Sequence, residues 1–266
     1  MAGSERHETP DYGLLDRLAT GWPIFYPRPD RSPPPPGARD ETVEVEAGVR
    51  VACRFYPLAQ ARPSLLFFHG NGEVASDYDE IAALYHRAGV NLWVADYRGY
   101  GASEGRPSFA ALVGDAPPVL ERFHAALDEW GFAGPRFVMG RSLGTHPALE
   151  LAANHAGRLR GLIVESGAGN LRRLVQRLTP SASQEEAERL VEAHQRKVEA
   201  IRLPALIIHG EADELVPVQT AFDLYETLRS EPKELLIIPG AGHNDLLWLG
   251  AEPYMQALGS FVAANG

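Results

Sequence analysis

Short apolar runs alternate with longer amphipathic stretches along most of this 266-residue chain. The runs lie at residues 65–68, 92–95, 137–139, 162–164, 206–208 and 235–238. Because they lack alternating polar positions, they indicate strands that are covered on both faces, as in a parallel sheet. Stretches long enough for crossover helices separate them, at residues 78–88, 109–130, 145–156, 218–230 and 245–264. The alternation predicts an α/β domain with ligand sites at the carboxyl ends of the strands.

Two further strand patterns precede the first of these runs. They cover residues 43–46 and 49–56, and Gly48 lies at their junction. Two β-type segments joined at a glycine are typical of a hairpin. We therefore predict that the main domain occupies residues 41–266 and opens with this hairpin.

The first forty residues differ in composition, since they hold 8 of the 21 prolines, including a run at 33–36. Such a run is extended and stiff. Residues 14–18 form a short amphipathic piece before it. We predict that residues 1–40 are an arm rather than a domain, and that the arm docks on the main body through Trp22, Ile24 and Phe25.

One connection is longer than a single crossover requires, between Gly167 and Pro204. Apolar residues recur there at near-helical spacing in two groups, within residues 171–178 and 190–201. We predict two helices that form a small lid over about residues 168–203.

A candidate nucleophile lies in the segment Gly140-Arg141-Ser142-Leu143-Gly144, between a predicted strand and a predicted helix. A serine at a sharp strand-to-helix corner requires glycines on both flanks, because a β-carbon there would collide with the neighbouring backbone. The hydroxyl then lies at the end of a sheet, beside the positive end of a helix. We predict that Ser142 is a nucleophile; the alternative is a tight turn with an incidental serine.

A serine hydroxyl needs a base, which is usually a histidine that a carboxylate orients. In α/β proteins with this type of corner, the chain order is serine, acid, histidine. His243 fits the order because it lies in a glycine-rich loop just after the last apolar run. Asp213, in the loop after the run at 206–208, is the predicted acid, and the apolar Leu215 and Val216 are expected to bury it. Glu165, at the end of another strand, is the reserve candidate.

Acyl transfer also needs backbone donors for the oxyanion, typically from the residue after the nucleophile and from an earlier loop. Asn71 lies between glycines in the loop after the run at 65–68. We predict that the amides of Asn71 and Leu143 form the oxyanion hole. His69, at the end of the same strand, is expected to be structural rather than a base.

Composition narrows the choice of protein class. The length and the 45% apolar content suit one domain or at most two. The net charge of −10 argues against a nucleic-acid-binding surface. A single cysteine excludes an internal disulfide and a cysteine-based metal site. Since no signal peptide or membrane span is recognisable, we expect a cytoplasmic protein.

Several motifs occur in an order that resembles the α/β-hydrolase superfamily over residues 41–266. They are His-Gly-Asn-Gly at 69–72, the segment 96–103, Gly-Arg-Ser-Leu-Gly at 140–144, His-Gly-Glu-Ala-Asp at 209–213 and Gly-Ala-Gly-His-Asn-Asp at 240–245. They look most like small bacterial serine esterases and eukaryotic depalmitoylases with an abhydrolase domain. The resemblance implies an α/β-hydrolase fold with a mostly parallel eight-stranded sheet, helices on both faces and a helical lid. It also implies Ser142, Asp213 and His243 as catalytic residues, with Arg98 in a structural polar network.

The expected activity is hydrolysis of a carboxylic ester or thioester through an acyl-enzyme, with a small-molecule substrate and with neither a metal nor an organic cofactor. Haloalkane dehalogenases and many epoxide hydrolases use an aspartate nucleophile, so Ser142 argues against both. The alternatives are a catalytically silent binding protein and an acyltransferase that uses the same acyl-enzyme. The acyl chain, the leaving group and the oligomeric state are not predicted.

The predicted lid carries a group of arginines, Arg172, Arg173 and Arg177. Two interpretations of them are open. They either face the mouth of the pocket and favour esters with a distal anionic group, or they form a solvated helix face.

Overall fold

The structure, a computed structural model, describes residues 10–19, 23–178 and 184–266. Its strands form one eight-stranded sheet in the order β1-β2-β4-β3-β5-β6-β7-β8. Strand β2 runs antiparallel to both β1 and β4, and all other neighbours are parallel. The strands are β1 (Arg39–Glu46), β2 (Val49–Tyr56), β3 (Ser64–Phe68), β4 (Asn91–Ala95), β5 (Arg136–Arg141), β6 (Leu162–Glu165), β7 (Ala205–Gly210) and β8 (Lys233–Ile238). The predicted hairpin and mostly parallel sheet are confirmed.

Both faces of the sheet are covered, as the apolar runs predict. All residues of β3 and β4 are buried. Because side chains alternate along a strand, Leu66 and Phe68 join one hydrophobic cluster and Leu65 and Phe67 join another. The helices supply the other sides of these clusters. They are α1 (Gly13–Leu18), α2 (Ala82–Arg87), α3 (Phe109–Gly114), α4 (Ala116–Glu129), α5 (Thr145–Asn154), α6 (Arg172–Leu178), α7 (Gln184–Glu199), α8 (Gln219–Thr227) and α9 (Leu246–Asn265).

The helix predicted over residues 109–130 is two helices, α3 and α4, which meet at Asp115. Pro117 and Pro118 lie in the first turn of α4. A proline lacks the amide hydrogen and its ring clashes with the carbonyl four residues earlier, so it ends a helix in front of it. The helix predicted over 78–88 begins later, at Ala82, after a short 3-10 turn at Ala75–Tyr78.

The amino-terminal segment packs against the domain in two places. In α1, Leu14 and Leu15 are buried, and Asp16 accepts the amides of Phe109 and Ala110 at the start of α3, at 2.6 and 3.0 Å. Further along, Ile24 and Phe25 pack on the core, as predicted. Trp22, the third residue of the predicted anchor, lies outside the described residues.

The insertion between β6 and β7 contains the two predicted helices, α6 and α7. Residues 179–183 between them lie outside the described part. Helix α7 buries Leu190 and Val198. The same helix contacts α5 and α1. Among the described residues, no helix has the length and apolar character that a membrane crossing requires.

Candidate active site

Ser142 follows β5 directly and starts a 3-10 turn, Ser142–Gly144, that leads into α5. Its φ is +50°, in the left-handed region, and Ser166 after β6 has a φ of +48°. A β-carbon at Gly140 would lie 2.2 Å from the carbonyl oxygen of Gly144. One at Gly144 would lie 2.0 Å from the carbonyl oxygen of Phe68. Both flanking glycines are therefore sterically required, as predicted.

The structure brings together Ser142, His243 and Asp213, which come from the loops after β5, β8 and β7. Nε2 of His243 lies 2.9 Å from Oγ of Ser142. Nδ1 of the same ring lies 2.7 Å from Oδ2 of Asp213. Since an ionised carboxylate only accepts hydrogen bonds, the imidazole proton belongs on Nδ1 and Nε2 is free to accept from the serine hydroxyl.

The side chain of Asp213 has no exposure to solvent. Its Oδ1 accepts the backbone amides of Leu215 and Val216, at 2.9 and 2.8 Å. Nε2 of His209 lies 3.4 Å from Oδ2. Burial raises the pKa of Asp213, but hydrogen bonds from His209 and His243 outweigh burial and hold the pKa well below its ordinary value. The carboxylate is therefore charged and fixed in orientation.

The predicted reason for the burial of Asp213 is wrong in part. The side chain of Leu215 does not cover it, because that residue is 62% exposed. It is the backbone amides of residues 215 and 216 that surround the carboxylate. The reserve acid, Glu165, does not contact His243; it binds Arg141 Nε at 3.0 Å and the hydroxyl of Tyr254 at 2.7 Å.

The side chain of Asn71 ties the amino-terminal segment to the site. Nδ2 donates to the carbonyl of Ile24 at 2.7 Å. Oδ1 accepts the amide of Tyr26 at 2.9 Å and the hydroxyl of Tyr100 at 2.6 Å. Sequence reasoning considered only the backbone of Asn71 and missed this role. The asparagine itself was the available signal, because a side-chain amide carries both a donor and an acceptor and can bind an extended segment through both.

Ser142 and His243 open into a cavity of about 770 Å³. Its walls come from the amino-terminal segment, α6 and the loops after β3, β7 and β8. The lining residues are Pro23, Ile24, Tyr26, Asn71, Arg141, Ser142, Leu174, Arg177, Leu178, Glu214, Leu215, Val216, His243 and Asn244. Among the residues that the structure describes, no cluster of three or more histidine, cysteine or acidic side chains is suited to a metal ion.

The three lid arginines lie in different places relative to this cavity. Arg177 lines the cavity of Ser142, together with the oppositely charged Glu214. Arg172 instead lines a separate groove between α6 and α7. Arg173 is exposed and lines neither. Of the three lid arginines, only Arg177 thus remains a candidate for contact with an anionic substrate.

Two further motif residues have the predicted structural surroundings. The buried His69 has Nε2 at 3.1 Å from Oδ1 of Asp96. Arg98 makes a two-pronged ion pair with Asp115, at 2.8 and 2.7 Å, and binds Glu46 at 2.6 Å. Both residues hold the loops beside the site and do not contact Ser142.

The sheet order, the strained serine after β5 and the late histidine loop define an α/β hydrolase. The chain belongs to the family described as serine aminopeptidase, S33, whose model matches residues 59–184 and 173–247. The predicted membership of the α/β-hydrolase superfamily is thereby confirmed, and the protein is a hydrolase.

Relatives and solved structures agree with this assignment. The human alpha/beta hydrolase domain-containing protein 17B is 31% identical over 222 residues, which are 81% of this chain and 72% of that protein. The Schizosaccharomyces pombe protein bem46 is 29% identical over 236 residues, 85% of this chain and 77% of that protein. A Pyrococcus furiosus esterase superposes with a TM-score of 0.71 at 17% identity, over 91% of this chain and 99% of that one. At that identity the structural match supports the fold.

Proposed function

We propose that this protein is a serine esterase or thioesterase that works through an acyl-enzyme. The observation that carries the proposal is the continuous line from the Ser142 hydroxyl through the His243 imidazole to the Asp213 carboxylate. Such a line lets the imidazole take the hydroxyl proton while the carboxylate stabilises the resulting imidazolium. The similarity to an esterase and to abhydrolase-domain proteins supports an ester-type substrate.

In the first half-reaction, Oγ of Ser142 attacks the substrate carbonyl and its proton passes to Nε2 of His243. The amides of Asn71 and Leu143 hold the oxyanion, which is the type of contact that contributes about 3 kcal/mol per donor elsewhere. The tetrahedral intermediate then expels the alcohol or thiol, which takes the proton from Nε2. A water molecule repeats these steps on the acyl-enzyme and releases the carboxylic acid.

Residues 1–40 and 168–203 contribute to substrate binding in this proposal, as an arm and a lid. The described parts of both line the cavity, through Ile24 and Tyr26 on one side and Leu174 and Leu178 on the other. Apolar walls that close over a polar catalytic line suit an acyl chain, since ligand pockets are mostly apolar with few polar groups.

The experiment that tests the proposal compares wild type with Ser142→Ala. We expect a fluorophosphonate to label wild type at Ser142 and p-nitrophenyl esters of increasing chain length to be hydrolysed. Ser142→Ala is expected to lose labelling and on the order of 10⁶ in kcat, with an unchanged circular dichroism spectrum. Activity that survives in the variant would move the nucleophile elsewhere.

The same experiment separates the alternatives. A wild-type protein that binds esters but is neither labelled nor active would be a silent binding protein. Labelling with ester formation in the presence of an added alcohol would indicate an acyltransferase. Faster cleavage of aminoacyl p-nitroanilides than of esters would indicate an amidase.

A further inference from the structure

Arg141, the residue before Ser142, has an almost buried guanidinium that binds four protein groups. The exposed fraction of its side chain is 11%. Nε binds Glu165 at 3.0 Å, and Nη1 binds Glu73. Nη2 donates to the backbone carbonyl of His243 and to Oδ1 of Asn244, each at 2.9 Å. One side chain thus connects the strand before Ser142 with the loop that carries the histidine.

The carboxylate of Glu73 extends this network to the loop of Asn71. Glu73 accepts the amide of Gly70 and the hydroxyl of Tyr78, both at 2.8 Å. Burial raises the pKa of Glu73, but the charge of Arg141, together with His69 and the hydrogen bonds from Tyr78 and Gly70, outweighs burial and the pKa is lower than usual. Glu73 is therefore ionised, and it holds the backbone directly before Asn71 against the guanidinium.

The second carboxylate, Glu165, lies at the end of β6 and also accepts the hydroxyl of Tyr254. Burial lowers the pKa of Arg141, but the charges of Glu165 and Glu73 outweigh burial, so the pKa is higher than its ordinary value. Burying three charges is costly, and apolar residues of the same volume often give equal or greater stability. Stability alone therefore does not account for this network. The positions of the groups that it holds do.

We propose that Arg141 is a positioning residue that clamps the His243 loop against the nucleophile, an inference that rests on the proposed function. The imidazole is held at Nδ1 by Asp213, but its backbone lies in a loop with glycines at positions 240 and 242. One Nη2 hydrogen bond holds the backbone carbonyl of His243 itself, and the other holds the side chain of the next residue, Asn244. The clamp keeps Nε2 within hydrogen-bond distance of Oγ before the substrate arrives.

A direct role in substrate binding fits the geometry less well, although Arg141 also lines the cavity. A guanidinium has five N–H donors, and four hydrogen bonds to protein groups already engage it. The two roles differ in kinetics, because misplacing a base lowers kcat whereas losing a substrate contact raises KM.

The test compares Arg141→Gln and Arg141→Lys with a matched control, Arg54→Gln. Arg54 is also buried, with a side-chain exposure of 6%, and it pairs with Asp40 and Asp79 away from the cavity. We expect Arg141→Gln to lower kcat for a p-nitrophenyl ester about 100-fold, as for small misplacements elsewhere, with KM changed less than threefold. Arg54→Gln is expected to keep the wild-type kcat. An unchanged kcat, with or without a rise in KM, would overturn the proposal.

A second readout does not depend on turnover. The ¹⁵N resonances of the His243 ring, assigned by their loss in His243→Gln, report its environment directly. We expect Arg141→Gln to shift or broaden them, and Arg54→Gln to leave them unchanged. Arg141→Lys keeps a charge between the two glutamates and supplies folded protein if the glutamine variant does not fold; it is expected to move the resonances as well. Unchanged His243 resonances would contradict the clamp, even if no ester substrate is found and the proposed function fails.

Discussion

The two oxygens of the Asp213 carboxylate have different hydrogen-bond partners. Two backbone amides hold Oδ1, so in Asp213→Asn the amide oxygen would take that position and the NH₂ group would face Nδ1 of His243. The ring proton would then move to Nε2, which could no longer accept from the serine. We expect Asp213→Asn to lower kcat by roughly 10⁴ with an intact fold.

Glu165→Gln is the control for this substitution, since Glu165 binds Arg141 and Tyr254 and does not contact His243. Its effect on kcat is expected to stay within about tenfold. Both variants are measured with the same p-nitrophenyl ester. If Glu165→Gln were the more damaging of the two, the acid would be misassigned.

At the scale of elements, one side chain of the domain, that of Asn71, holds residues 24 and 26 of the amino-terminal segment. Asn71→Ala removes three hydrogen bonds to residues 24, 26 and 100, each of which contributes about 1 kcal/mol. It keeps the backbone amide at position 71. We expect lower stability, faster hydrogen exchange in residues 23–30 and a higher KM for long-chain esters, because Ile24 and Tyr26 line the cavity.

Arg28→Gln provides a comparison in the same segment. It removes an ion pair with Asp77 in which both side chains are exposed to solvent, and exposed pairs contribute little. Hydrogen exchange measured by mass spectrometry should therefore change much less than in Asn71→Ala. Equal exchange in the two variants would mean that Asn71 does not hold the segment.

The strands were more predictable from the sequence than the hydrogen bonds between distant side chains were. The strands and the hairpin follow from uninterrupted apolar runs, because a strand buried on both faces requires them. The break before Pro117 was visible in the sequence but lay within a continuous apolar periodicity. The bonds of Asn71 and Arg141 were not predictable, because they join residues 24 to 103 positions apart and no local pattern encodes such contacts. Chain order placed Ser142, Asp213 and His243 together only because the strand order of the fold was assumed.

At the scale of the whole molecule, three buried histidines make the fold less stable in acid. Burial, with the charge of Lys197, lowers the pKa of His146 to about 3. Burial, with the charge of Arg136, lowers that of His124 to about 4. Burial also holds the pKa of His194 well below its ordinary value. All three are neutral in the folded protein near neutral pH.

Their effect on stability follows from proton binding. Unfolded histidines take up protons below about pH 6.5 while these three do not, so the free energy of unfolding falls as the pH drops. Each histidine contributes up to about 1.4 kcal/mol per pH unit. Guanidinium denaturation at intervals between pH 7.5 and 5 should show this decline, and His124→Gln should reduce its slope. Constant stability across that range would mean that the histidines are protonated in the folded state.

The backbone of Ser142 has an evolutionary consequence. A non-glycine residue in the left-handed region costs on the order of 1 kcal/mol or more, and the whole domain is stable by only about 5–15 kcal/mol. Under the proposed mechanism, selection for chemistry opposes glycine at this position, since glycine alone adopts a φ of +50° without strain. A lineage released from that selection would gain stability by replacing the serine with glycine. Glycine at the matching position of a relative would therefore mark a descendant that kept the fold and gave up the reaction.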